Sequence, residues 1–398
     1  MMDNVIKFIS KWLGWGLATF AAAVVSLFLF WASFLALFGT LHDDNNNEED
    51  FHNRYSGTTH VSSAYDEQYL THRLIKMDLD YGITTQETMR NALSNVSQYL
   101  KSVNATCSWQ NTDEGTAAYV ACANERLHDN FYYTPSVEVS NNYAIHRSDC
   151  DTNTYLMIDA MRMKGMEGYI VYAPGHAFLA WKDSFGNYNY QETTSYNNKG
   201  KPADLSIDWY TKTIDKSYYT PVNAQMAEQI YNALIYDKSK GRVNIDTLYS
   251  KNKENAFIAD WYFHARDKQH KTTKSDAQLI LSLLHTDFTS TDKKMAVLHY
   301  LMRNNQKDKA LVMLDNIPAE KCGRECFAAG AELGQLRFVI FKKPFFIYDD
   351  YLSNHALSGK VKSFRNGIIL FIMALLLAAG TLIVSALNFK KIKSTGKV

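Results

Sequence analysis

Net charge is almost missing from this chain, in which 42 lysines and arginines face 41 aspartates and glutamates for a formal balance of +1. No global field recruits a polyanion, which argues against nucleic acid as the main partner. Proline and glycine are scarce, six and 19 in 398 residues, so the chain is neither collagen-like nor rich in linkers. A mean hydropathy below zero and 21% charged residues exclude a polytopic membrane protein and a mostly disordered one. What is abundant is aromatic bulk: 25 tyrosines and 21 phenylalanines, enough for the core of one or two domains.

Charge is also missing locally, in two long runs. Residues 13–39 and residues 366–389 contain no charged side chain. At 1.5 Å per residue each run reaches across a hydrocarbon core of about 30 Å, so both are expected as transmembrane helices. A cleaved signal peptide is the alternative for the first, although its apolar region would be roughly 7 to 15 residues. Lys7 and Lys11 precede the first run, an acidic segment with Asp43, Asp44, Glu48, Glu49 and Asp50 follows it, and Lys390, Lys391, Lys393 and Lys397 follow the second. By the positive-inside rule both termini are expected in the cytoplasm and the middle outside it, in a periplasm or its equivalent at the inner membrane. The acidic segment lacks the spacing and turn glycine of a calcium loop and reads as a solvated spacer.

Cysteines are few: Cys107, Cys122, Cys150, Cys322 and Cys326. An oxidising compartment pairs them, and Cys107 with Cys122 would close a loop of about 15 residues. An odd count leaves one thiol over. Zinc is a poor explanation, because no second CxxC or HxxxH pair completes four ligands.

Cys150 stands in Arg147-Ser148-Asp149-Cys150-Asp151-Thr152, just before apolar residues at helical spacing (Tyr155, Leu156, Ile158, Met161), with Ser148 and Asp149 as candidate caps and Gly165 as the stop. The spacing places Cys150 in a first helical turn, where unpaired N–H groups and the positive end of the dipole favour a thiolate. Asp149 and Asp151 oppose it. Residues 168–172 read as a strand, His176 opens a second, and a turn at 184–187 leads into a third that carries Glu192. Pairing across that hairpin brings imidazole and carboxylate onto one face, giving a nucleophile, a base and an orienting acid in chain order. For the oxyanion, the Cys150 backbone N–H is one donor, and Asn141, Asn142 and Tyr143 are equal candidates for another.

Over residues 141–194 the sequence resembles the transglutaminase-like superfamily, through Ser148-Asp149-Cys150-Asp151-Thr152, Lys164-Gly165-Met166-Glu167-Gly168-Tyr169, Gly175-His176-Ala177 and Tyr190-Gln191-Glu192-Thr193-Thr194. The resemblance implies a papain-like α+β core, a Cys-helix followed by antiparallel strands, with Cys150, His176 and Glu192 catalytic. Glu192 stands where many members carry aspartate. Calcium dependence occurs in parts of this superfamily, but no loop here demands it and no cofactor is expected.

Beyond residue 221 apolar stripes at helical spacing (Met226 to Leu234, Ala256 to Tyr262, Leu279 to Leu284, Met295 to Met302, Ala310 to Leu314, Phe327 to Leu333) suggest stacked helical hairpins without a constant period. They read either as a partner-binding groove or as a cap on the catalytic core. The expected organisation is a cytoplasmic start (1–12), a span (13–39), an acidic linker (40–65), a catalytic domain (66–220), a helical domain (221–345), a juxtamembrane segment (346–365), a second span (366–389) and a basic tail (390–398). The expected function is a membrane-anchored thiol hydrolase acting on a protein near the membrane or in the cell wall. The alternatives are acyl transfer to an amine, which crosslinks proteins, and a non-catalytic scaffold that binds partners through residues 221–345.

Overall fold

The computed structural model describes residues 21–34, 64–133, 138–173, 176–194, 217–285, 290–317, 324–334 and, near the C-terminus, 367, 369–381 and 383–384. Two units divide the chain: residues 58–346, and residues 1–57 with 347–398. In the smaller unit residues 21–34 and 369–381 are helical, and Phe30 packs on Phe371 with ring centroids 5.5 Å apart. Among the described residues no helix is long and apolar enough to cross a membrane. The expectation of two transmembrane helices is corrected accordingly, and with it the two-pass topology, the extracytoplasmic placement of the middle and membrane lipid as a partner. The flanking lysines and acidic residues 43–50, on which the orientation rested, lie outside the described residues, as does the rest of each apolar run.

The larger unit begins with three helices, α1 (Leu70–Asp80), α2 (Gln86–Thr106) and α3 (Asp113–Asn130). Thr85 and Thr112 start the second and third by accepting from the backbone N–H three residues on, that of Thr88 and Gly115. A disulfide between Cys107 and Cys122 ties the end of α2 to the middle of α3. A short parallel pair, β1 (Tyr132–Tyr133) with β2 (Arg147–Ser148), encloses helix α4 (Val139–Ala144). Helix α5 (Cys150–Arg162) follows, then the antiparallel sheet β3 (Gly168–Ala173), β4 (His176–Lys182) and β5 (Tyr188–Gln191) in that order. From residue 224 onward the described elements are helices: α6 (Ala224–Leu234), α7 (Ile245–Lys251), α8 (Ala256–Lys268), α9 (Lys274–Leu283), α10 (Thr291–Arg303), α11 (Lys307–Asp315) and α12 (Arg324–Glu332).

Helices thus dominate, and the α+β architecture bracketed by two spans is corrected to a mainly helical one with a small sheet. The physical reason lies in residues 70–130, whose buried positions (Leu74, Val96, Tyr99, Tyr119, Leu127) recur at helical spacing between polar residues.

The sheet's alternation sorts its side chains. Ile170, Tyr172, Ala177, Leu179 and Trp181 join α5 and the first three helices in the main core, while Val171, Phe178 and Ala180 form a separate aromatic cluster with Tyr188, Tyr190 and Tyr219. Gly168 lets β3 lie close on α5, since a Cβ there would stand 3.2 Å from the Ile158 Cα. Helix α6 is fastened to the same core through Tyr231, which donates to Asp78 at 2.7 Å and accepts from the Val139 N–H at 3.0 Å. Farther on, α8, α9 and α10 share one apolar cluster, and α10, α11 and α12 the next.

Candidate functional site

Helix α5 starts where its sequence places a cap. The Asp149 carboxylate accepts from the Thr152 N–H at 3.0 Å, and the Thr152 hydroxyl accepts from the Asp149 N–H at 2.6 Å, a reciprocal capping box. Cys150 is therefore the first helical residue, half-buried, and it is the free cysteine among the described residues. Cys107, Cys122 and Cys326 are disulfide-bonded, and Cys322 lies outside the described residues. The helix ends at Arg162, and Gly165 (φ +72°) turns the chain toward β3.

His176 is the first residue of β4. Register pairs Leu179 with Gln191, so β5 ends one residue before Glu192, on the flank where β4 begins. The imidazole Nε2 lies 2.9 Å from Glu192 Oε2 and 3.1 Å from Oε1. Because a carboxylate only accepts, Nε2 carries the proton and Nδ1 is left as the basic nitrogen. Glu192 is 2% exposed against 17% for the imidazole, so the acid is sealed behind the base. The backbone N–H of Ala177, next to His176, donates to the Cys150 thiol. Cys150, His176 and Glu192 thus lie where α5 and β4 begin and β5 ends.

The electrostatics reverse one expectation. Burial first, then the charges of Asp151 and Asp149, push the Cys150 thiol well above the ordinary range; only the Ala177 N–H pulls it down. A helix start favours a thiolate when water or cations surround it, but here the thiol donates to the Asp151 carboxyl, with Oδ1 3.6 Å from Sγ. Asp151 is itself pushed up to about 7, chiefly by burial and then by Asp149, while the Cys150 hydrogen bond and the charge of His176 oppose the rise. The direction of the shift favours the thiol, against the low-pKa thiolate that the helix start predicts.

The oxyanion candidates separate. Tyr143 donates to the Thr152 carbonyl at 2.5 Å and so holds the first turn of α5. Asn141 is committed to Glu138 at 2.6 Å and accepts from Thr84 at 3.0 Å. Asn142 keeps a buried Nδ2 that meets no protein acceptor among the described residues.

Three residues of the site escape sequence reasoning. Tyr133 is 44% exposed, and its phenol is raised strongly, first by burial and then by the charges of Cys150, Asp149 and Asp151. Asn124 donates to the Glu192 carbonyl at 3.0 Å and Asn153 to the Thr193 carbonyl at 3.0 Å. Asn153 had a signal: polar Thr152, Asn153 and Thr154 are all buried on a helix whose other buried positions are largely apolar. Tyr133 and Asn124 had none.

Among the described residues no group of three or more His, Cys, Asp or Glu side chains could hold a metal ion. No protein-family model matches the chain, and no curated protein sequence does. Among solved structures the chain is similar to menin, in a crystal structure that reveals the binding site for the Mixed Lineage Leukemia (MLL) protein, at 10% identity and a TM-score of 0.39 over 81% of this chain and 90% of that one. At that TM-score the likeness carries no assignment of fold or activity.

Proposed function

We propose that the chain is a thiol hydrolase of the transglutaminase-like type, acting on a carbonyl of a protein substrate through Cys150, His176 and Glu192. The observation that supports this reading is the sealed Glu192 carboxylate on His176 Nε2 at 2.9 Å, with the thiol held by the N–H of the next residue. His176 Nδ1 takes the thiol proton as sulfur bonds to the carbonyl carbon, and the carbonyl oxygen becomes an oxyanion. The C–N bond then breaks, the imidazolium gives its proton to the leaving amine, and water, activated by the same nitrogen, releases the acid from the thioester. An amine in place of that water would crosslink two proteins. With the Cys150 thiol pushed up, His176 takes its proton in the attack itself.

A test is an electrophilic acyl or alkyl probe on the folded protein, comparing native chain, Cys150→Ser and His176→Ala. Labelling confined to Cys150 and strongly reduced in His176→Ala is expected; equal labelling of the native and His176→Ala proteins would remove the base from the reading. A second reading, a scaffold that binds a protein through the helical region 221–345, draws on the exposed Leu279, Leu281 and Val312. Partner binding undiminished by Cys150→Ser would favour it.

A further inference from the structure

The Glu192 carboxylate can serve His176 only if the backbone just beyond β5 is fixed, and there the strand ladder has ended. Besides the Gln191 side chain, which donates to the Glu192 carbonyl at 3.1 Å, two buried asparagines take over. Asn124 on α3, 0% exposed, spends its amide on the Glu192 carbonyl at 3.0 Å, and Asn153 on α5, 1% exposed, spends its own on the Thr193 carbonyl at 3.0 Å. A carbonyl accepts only, so the orientation of both amides is settled. Each is left with a buried Oδ1 that meets no protein donor among the described residues. Burying an acceptor without a partner costs free energy, which makes these asparagines poor choices for stability alone. Next to Asn153, the Thr154 hydroxyl donates to the Cys150 carbonyl at 2.8 Å and lies 3.5 Å from the Thr193 hydroxyl. The first turn of the nucleophile helix and the acid-bearing segment are thereby joined side chain by side chain.

We propose that Asn124 and Asn153 are positioning residues that hold Glu192 and Thr193 so that the Glu192 carboxylate meets His176. This rests on the reading of Cys150, His176 and Glu192 as the site. Neither asparagine touches the reacting atoms; both act through Glu192.

The test uses the full chain with Cys150→Ser and ¹⁵N-labelled histidine, in which the His176 ring shifts, assigned with His176→Gln, report which nitrogen bears the proton. The parent is expected to hold its proton on Nε2. Asn124→Leu and Asn153→Leu, near-isosteric, remove one buried unpaired acceptor, the asparagine Oδ1, and withdraw a donor from another, the carbonyl it served, so they are expected to unfold thermally near the parent midpoint, yet to show a mixture of tautomers, as is expected of Glu192→Gln. In the chain with Cys150 intact, the same two variants are expected to be alkylated several-fold more slowly. A merely structural role predicts the reverse, a lower midpoint and an unchanged tautomer, and that result in both variants overturns the proposal. If the leucine variants do not fold, Asn124→Ser and Asn124→Ala decide: the serine keeps a donor and is expected to hold the tautomer better, and equal spectra overturn the proposal. The tautomer is read without turnover, so an inert Cys150 would sink the hydrolase reading alone, and an unmoved tautomer would sink the brace alone.

Discussion

The thiol of Cys150 lies 3.6 Å from a carboxylate oxygen of its own neighbour, Asp151, in the first turn of α5. Negative charge there works against the thiolate, so Asp151→Asn is expected to move the midpoint of iodoacetamide alkylation toward acid and to raise the rate at pH 7 several-fold. The native midpoint is expected above about 8.5, the value of an ordinary thiol. A rate–pH profile that is the same in both proteins would show that Asp151 does not act on the thiol.

Asp151 also makes stability depend on pH. Its folded-state value of about 7 lies above the unfolded value of about 3.9, so the folded chain holds this proton more tightly. The contribution is complete below about pH 4 and is lost as pH rises through about 7. Denaturant midpoints between pH 4 and 8 should therefore fall in the native protein and stay flatter in Asp151→Asn.

In the proposed hydrolase Glu192 acts only through His176, and this has a kinetic signature. His176→Ala is expected to lower the rate of acylation by about 10²- to 10⁴-fold, the range of a lost general base. Glu192→Gln should cost less, and the double variant no more than His176→Ala alone, because the acid has nothing left to orient. Multiplying losses in single-turnover rates would give Glu192 a role of its own.

The Cys107–Cys122 disulfide closes a loop across 15 residues, a closure that stabilises by about 3 kcal/mol in the chain-entropy model. Replacing both cysteines with alanine should lower unfolding free energy by about that amount, and a reductant should then have little further effect through this pair.

Far from the site, Lys293 is 1% exposed, with its Nζ 2.7 Å from Asp260 and 3.3 Å from the Ala256 carbonyl. Asp260→Ala removes the carboxylate 2.7 Å from a buried ammonium and is expected to cost about 3–5 kcal/mol, while adding Lys293→Met should recover much of the loss. Thermal or urea unfolding of the single and double variants measures both.

The sequence makes some of this site legible. Asp149, the apolar spacing from Tyr155 to Met161 and Gly165 predict α5 because caps, period and stop are local, and the turn at 184–187 predicts a hairpin for the same reason. That hairpin is what puts His176 near Glu192. The acidity of Cys150 was not legible, because burial and the facing of Asp151 toward Sγ depend on packing rather than on distance from a helix end. Nor were Asn124, 68 residues before Glu192, and Tyr133 on a two-residue strand: contacts made across such separations leave no periodic trace. The apolar runs at 13–39 and 366–389 misled for a different reason. Lack of charge measures whether a segment would tolerate lipid, and does not by itself make a spanning helix.

Because Cys107, Cys122 and Cys326 are locked in disulfides, an electrophile meets Cys150 as the one open thiol among the described residues. Mass added per molecule then becomes a count of redox history: one equivalent at these four positions marks an oxidised sample, and more than one marks a chain whose bridges were opened before the probe arrived. That count is independent of turnover, so any preparation can be graded before its activity is compared with another's.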